Sequence, residues 1–350
     1  MSVKITTVAT VNPPYTRRTE EVMPFLDVWL EGQEARFQKK VKKLFQGSGV
    51  EQRYSIMNAE DVFTKTSFEA KNEVYKKAAK KLGKEVLEKA LHQTGLQPTD
   101  IDILITVSCT GIMIPSLDAY LMNSLNMRQD VLRLPVTEMG CVAGVSGIIY
   151  AKNFLKARPN QRAAVIAIES STATFQLDDF SMENIVSSAI FGDGVACAIL
   201  SSHPEDTGAE VVAEAMYHLP DATDLLGFRL TNSGMKMVLS EALPSEIGAH
   251  FNDMVVPFLA EQDLTIQDIE HMVFHPGGKK IVQTVEALFE PFGKNINATK
   301  EVMRTHGNMS STTILYVLER FFNQSPKAGE YGLMLSFGPG FTAQRVLLQW

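Results

Sequence analysis

Cys141 lies in Met139-Gly-Cys-Val-Ala-Gly-Val-Ser-Gly147, directly ahead of a helical pattern. A thiol at a helix N-terminus feels the positive end of the dipole and unpaired backbone N–H groups, which favour the nucleophilic thiolate. Gly140 and Gly144 permit a sharp turn and a close approach by a substrate or another helix. A buried cysteine acting as a small apolar residue is the competing reading, and local context alone does not separate the two. His275 ends the apolar stretch 272–274 and is followed by Pro276-Gly277-Gly278. Ligands gather outside the carboxyl ends of strands in open α/β sheets, so this imidazole stands where chemistry is expected. Asn308, in Thr305-His-Gly-Asn-Met-Ser310, precedes a second helical pattern, with His306 a further candidate beside it. Cys109 ends a strand where it could line a pocket, whereas Cys197 falls inside an apolar strand. His271 and His275 sit on one strand about 13 Å apart at roughly 3.3 Å per residue, too far to share a metal ion.

The elements that position these residues follow from an internal repeat. Leu96-Gln-Pro-Thr-Asp100-Ile101-Asp102 is echoed 168 residues later by Leu264-Thr-Ile-Gln-Asp268-Ile269-Glu270. Each copy follows an amphipathic helix (85–94 and 249–262) and leads into an apolar strand (103–107 and 271–274). The buried-type strands 163–168 and 331–336 match at the same shift, and the opening strands 3–11 and 210–217 also agree. A shift of 167 places Asn308 on Cys141, each ahead of a long helix, 142–155 and 311–322. Packing of the halves about a pseudo-twofold axis would therefore bring thiol and amide together from opposite sides. Each half reads strand, helix, strand, helix, strand, helix, strand, which predicts an α/β fold with mostly parallel sheets covered by helices. The junction falls near 201–208, giving halves 1–205 and 206–350, and 12–80 and 170–192 read as insertions into the first half.

Composition narrows the class of function. The chain of 350 residues is 45% hydrophobic and 21% charged, with a net charge of −7 that argues against a nucleic-acid partner. No signal-peptide pattern opens it, and no apolar run approaches the roughly 20 residues a membrane span needs. Three cysteines form neither a metal spacing nor a disulfide framework, so a reducing, cytoplasmic setting is expected. Phe191-Gly-Asp-Gly194 and Phe337-Gly-Pro-Gly340 lack the third glycine and following helix of a dinucleotide site. The basic run Lys39-Lys-Val-Lys-Lys43 reads as a solvated helix face or as a clamp for the phosphates of an acyl carrier.

Five ordered segments carry a family resemblance: 140–144, 189–194, 275–278, 307–311 and 338–340. Together they resemble the type III polyketide synthases, the chalcone and stilbene synthase family, along essentially the whole chain. The resemblance implies a thiolase-like fold, duplicated βαβαβαββ-type halves forming a layered α-β-α-β-α core. It also implies a catalytic set of Cys141, His275 and Asn308, with Phe191 as the gate and Met237 at a second gate position. Cys109, Ser171 and Thr174 would line the cavity. Lys40, Lys43, Gly277, Gly278 and Ser310 would bind coenzyme A, the third basic position of the phosphate clamp falling on Gly47. A homodimer is implied too, with the segment around Ile114-Pro115 reaching into the neighbouring subunit.

On this reading Cys141, as a thiolate paired with an imidazolium at His275, holds an acyl starter taken from acyl-CoA. His275 and Asn308 would stabilise the enolate left when malonyl-CoA loses carbon dioxide, and Phe191 would wall off the carboxylate. Condensation repeats before the chain cyclises, with no redox cofactor or metal. Small residues at 109, 171 and 174 leave room for a long acyl tail and favour alkylpyrone- or alkylresorcinol-type products. Two rivals remain: a ketoacyl-ACP synthase III-like single condensation, and a non-catalytic lipid-binding relative. The first typically carries His-Gln-Ala-Asn where this chain has His275-Pro-Gly-Gly278, and the second does not need all three catalytic residues.

Overall fold

The computed structural model describes residues 2–350. The first half opens with β1 (Lys4–Val11), followed by an inserted cap. The cap comprises β2 (Tyr15–Arg18), α1 (Thr19–Trp29), α2 (Ala35–Gln46), β3 (Gln52–Ser55) and α3 (Ala59–Thr64). The long helix α4 (Phe68–Thr94) leads to β4 (Ile103–Val107), α5 (Leu117–Ser124) and β5 (Leu132–Val136). Helix α6 (Ala143–Ala157), β6 (Arg162–Ser170), α7 (Met182–Ile190) and β7 (Asp193–Ser201) complete this half.

Strand β8 (Ala209–His218) starts the second half, and β9 (Leu226–Thr231) and β10 (Gly234–Leu239) form a side hairpin. Helix α8 (Leu243–Ala260), β11 (Ile269–Phe274), α9 (Lys279–Phe289), α10 (Asn297–His306) and α11 (Thr313–Gln324) follow. The chain ends on β12 (Tyr331–Gly338) and β13 (Thr342–Gln349).

Nine strands join in the order β11-β12-β13-β8-β1-β7-β6-β4-β5. Read outward from the central β8·β1 pair, the order is that of a duplicated unit, except that β5 has no counterpart. At the repeat shift the matching segment of the second half lies in α10, a helix and not a strand. The expected preponderance of parallel pairing is corrected: five of the eight pairings are antiparallel, because the last strand of each half turns back along its neighbour. The strands are continuously apolar because helices cover both faces.

Alternation along the strands shows this layering. Ala163, Val165 and Ala167 of β6 face a central core with α6 and α11, while Ala164, Ile166 and Ile168 face α4 and α5. On the other side Val273 and Met334 enter that same central core, and Met272, Phe274, Leu333 and Leu335 pack under α8 and α9. The result is the expected five layers, helix, sheet, helix, sheet, helix. The echoed aspartates have one local job: Asp100 accepts from the Gln97 amide at 2.7 Å, and Asp268 from the Thr265 amide at 2.8 Å. Each caps the 3-10 turn that enters a core strand.

Candidate active site

Cys141 lies in a 3-10 turn, Gly140–Val142, that runs into the N-terminus of α6. Gly140 has φ 57°, and a Cβ there would lie 2.6 Å from Pro339 Cδ. A Cβ on Gly144 would lie 2.2 Å from the Ser311 carbonyl oxygen, so this glycine lets the other half approach. That approach comes from a second 3-10 turn, Ser310–Thr312, which enters α11. The two turns are 170 residues apart, and both open on a residue with positive φ, Gly140 and Ser310. The structural counterpart of Cys141 is therefore Ser311, which corrects the expected match to Asn308 by three residues. The amide still arrives at the site, one turn earlier in the chain.

A run of hydrogen bonds ties the expected residues together. Asn308 Nδ2 donates to the Gly277 carbonyl at 3.2 Å, and its Oδ1 accepts from the Ser310 amide at 2.8 Å. Ser310 Oγ lies 3.5 Å from Cys141 Sγ and 3.3 Å from Cys109 Sγ. His275 extends the β11 ladder, its amide donating to Leu335 O at 3.0 Å. Its ring is buried, and neither ring nitrogen has a hydrogen-bond partner. Orphaned imidazole nitrogens are costly unless something else meets them.

Burial acts on both ionisable groups. It pushes the Cys141 thiol up to about 12, against smaller opposing pulls from the Ser310 hydroxyl and a backbone donor. It pushes the His275 imidazole down to about 3. Desolvation thus works against the expected thiolate–imidazolium pair, raising the thiol and lowering the imidazole.

Phe191 follows α7, and its backbone pairs with Asn308 in an isolated parallel bridge. The buried Arg53 guanidinium holds that helix end, donating to the carbonyls of Ser188 at 2.7 Å, Ala189 at 2.9 Å and Phe191 at 3.2 Å. Phe191 also lines a cavity of about 90 Å³. Ser171, Thr174 and Met237 line it too, among apolar walls that include Phe25, Phe63 and Phe175. Ser171 Oγ is buried there without a partner.

Cys109 sits beside the Cys141 thiol, its Sγ 3.3 Å from the Ser310 hydroxyl that also contacts Cys141. Ser310 lies buried at that thiol and away from the exposed Lys40 and Lys43 on α2. His306 packs between Tyr54 and Tyr316, with Nδ1 on Thr305 Oγ1 at 2.8 Å, which removes it from the site. His271 pairs with Glu330 at 2.9 Å. No group of three or more His, Cys, Asp or Glu that could hold a metal occurs among the described residues.

The sequence reading missed Glu169. This buried carboxylate accepts from the Cys109 amide at 3.1 Å, from Thr110 Oγ1 at 2.6 Å and from Ser311 Oγ. Its only signal is an acidic residue closing a fully apolar strand.

Comparison with known proteins decides the family. Residues 18–267 match the family described as FAE1/Type III polyketide synthase-like protein, and residues 210–350 match the chalcone and stilbene synthase C-terminal domain. The chain belongs to the type III polyketide synthases. A 1,3,6,8-tetrahydroxynaphthalene synthase of Streptomyces peucetius subsp. caesius is 34% identical over 89% of this chain and 83% of that protein. A phloroglucinol synthase of Pseudomonas fluorescens is 27% identical over 88% of each. The crystal structure of the 1,3,6,8-tetrahydroxynaphthalene synthase of Streptomyces coelicolor superposes with a TM-score of 0.93 at 26% identity, covering 99% of both chains. This polyketide synthase is thus an acyltransferase that builds its product by iterative condensation of malonyl-CoA. No helix among the described residues is long and apolar enough to cross a membrane.

Proposed function

We propose that this synthase loads an alkyl acyl-CoA starter on Cys141, extends it with malonyl-CoA and closes an alkylpyrone or alkylresorcinol. The observation that carries the starter class is the cavity beyond Phe191, whose aromatic and aliphatic walls suit a hydrocarbon chain. The partnerless Ser171 hydroxyl in that wall suits one keto oxygen of the growing chain.

In the loading step the Cys141 sulfur attacks the thioester carbonyl, its proton passing to neutral His275. The carbon–sulfur bond to coenzyme A breaks, and the departing thiolate takes that proton. Malonyl-CoA then loses carbon dioxide, and the electron pair of the broken bond becomes an enolate. His275 and the second Asn308 Nδ2 hydrogen donate to its oxygen. The enolate carbon attacks the Cys141 thioester, releasing the sulfur and leaving a β-ketoacyl-CoA two carbons longer. Each step balances without a metal or redox cofactor. Lys40 and Lys43 hold the carrier phosphates, and Gly277 and Gly278 flank its thiol end. A second copy of the chain covers the exposed apolar Ile112 and Ile114.

A second reading follows from the relatives' names, a tetrahydroxynaphthalene and a phloroglucinol synthase. On that reading malonyl-CoA is starter as well as extender, and the product is a polyhydroxylated aromatic. Incubation with labelled malonyl-CoA and a series of acyl-CoA starters, with mass spectrometry of the products, separates the two. The alkyl reading expects products whose mass tracks the starter. A single product independent of the added starter overturns it. A single condensation that requires acyl carrier protein overturns the polyketide reading altogether.

A further inference from the structure

A coenzyme A thioester brings several phosphate charges to the protein surface, and these need cations that are not already neutralised. Helix α2 offers Lys40 and Lys43, both exposed and without a carboxylate in ion-pair distance among the described residues. Lys42, on another face, pairs with Asp27. Positions 40, 43 and 47 are spaced i, i+3 and i+7 and share one stripe of the helix. At the end of that stripe Gly47 contributes no side chain.

Another lysine occupies this spot. Lys279, the first residue of α9, donates from Nζ to the Gly47 carbonyl oxygen at 3.0 Å. That bond uses one of three ammonium hydrogens and leaves two for a ligand. Lys279 is exposed and has no carboxylate in ion-pair distance among the described residues. The other charges around its groove are matched: Lys300 pairs with Glu286 at 2.7 Å and Arg304 with Glu51. The groove therefore keeps one unpaired positive charge, that of Lys279. The same segment carries the reacting end of the site, since Lys279 directly follows His275-Pro-Gly-Gly278.

We propose that Lys279 supplies the third cation of the coenzyme A phosphate clamp, taking the place of a side chain at position 47. The inference rests on the coenzyme A thioester reading above and adds the residue that completes its surface site. An anchored ammonium differs from a free surface lysine because the Gly47 carbonyl fixes where its charge stands.

The test compares malonyl-CoA with malonyl-N-acetylcysteamine, a thioester that carries no phosphates. For Lys279→Ala we expect KM for malonyl-CoA to rise about five- to tenfold, the size of one partly screened charge-assisted contact. The kcat should stay near that of the wild type, and KM for the short thioester should not move. Raising salt should weaken malonyl-CoA binding less steeply in the variant, and Lys279→Arg should behave as the wild type. An unchanged KM for malonyl-CoA overturns the proposal. So does an equal loss with both thioesters, which would mark a packing defect at the α2–α9 junction. A wild-type enzyme that condenses neither thioester would instead overturn the proposed function.

Discussion

The same short turn is built twice in this protein, and only one copy carries the proposed nucleophile. Gly140–Val142 enters α6 and Ser310–Thr312 enters α11, with φ of 57° at Gly140 and 50° at Ser310. The next residue is Cys141 in one copy and Ser311 in the other. Ser311 hands its hydroxyl hydrogen to the buried Glu169, whereas the Cys141 thiol has only the weak Ser310 contact at 3.5 Å. Duplication thus supplied two equivalent sites, and the difference lies in what each side chain is tied to. The committed copy braces the interface between halves, and the uncommitted copy leaves its sulfur without a strong partner.

The strongest way to break this comparison is Cys141→Ala. Condensation should vanish, while decarboxylation of malonyl-CoA continues, because the proposed mechanism assigns the enolate to His275 and Asn308. Polyketide formation by this variant, followed by mass spectrometry, would refute the assignment of the nucleophile. Next in size is Asn308→Ala placed in the Cys141→Ala background. Release of labelled carbon dioxide should fall a further 10²–10³-fold, roughly the effect of losing one preorganised oxyanion donor. An unchanged rate would leave Asn308 as a turn former that only links Gly277 to Ser310.

Much of this arrangement was legible in the chain, for physical reasons that also explain the failures. Asp100 and Asp268 stand out because a carboxylate capping a turn is needed at the same place in both halves. The strands stand out because helices on both faces make them apolar throughout, and that same coverage concealed their antiparallel pairing. The repeat register slipped by three residues because Gly140-Cys141 was matched to Gly307-Asn308. Gly307 ends α10 with φ 74°, a different use of the same residue type. The true match, Gly140-Cys141 with Ser310-Ser311, pairs different residues that share a backbone shape. Glu169 was illegible because its donors come from segments far apart in sequence. The pull of burial on Cys141 and His275 was illegible for a related reason. A helix terminus is a local feature, but burial depends on everything folded around it.

That burial predicts an acid sensitivity on the histidine side of the site. The His275 pKa is depressed to about 3, so its contribution to stability is complete above the unfolded-state value near 6.5. The contribution is lost as pH falls from there toward about 3, because the unfolded chain takes up the proton first. Between pH 7 and pH 4 the wild type should lose about 3 kcal/mol more than His275→Gln. Urea unfolding of both proteins across this range measures the difference, and parallel curves would show that His275 is not buried as described. On the serine side, Ser311→Ala removes one donor from Glu169 and should cost about 1–3 kcal/mol. Unchanged stability in urea would mean that this copy of the turn is not committed to bracing.

The smallest change makes the two turns more alike. Ser310→Gly gives the second copy the residue that the first has at Gly140, and a φ of 50° suits glycine better than serine. Stability should therefore hold or rise slightly. The cost falls on the thiol, because the Ser310 hydroxyl is a contact that pulls the Cys141 pKa down from a value set mainly by burial. Its removal lowers the thiolate fraction at a given pH, so iodoacetamide should label Cys141 more slowly. The factor should stay below about tenfold, since one weak hydroxyl–sulfur contact is lost. In the wild type, labelling should keep climbing beyond pH 9, without the plateau of an ordinary thiol. Faster labelling in Ser310→Gly would show that the hydroxyl shields the sulfur and does not activate it, and the asymmetry between the turns would then rest on burial alone.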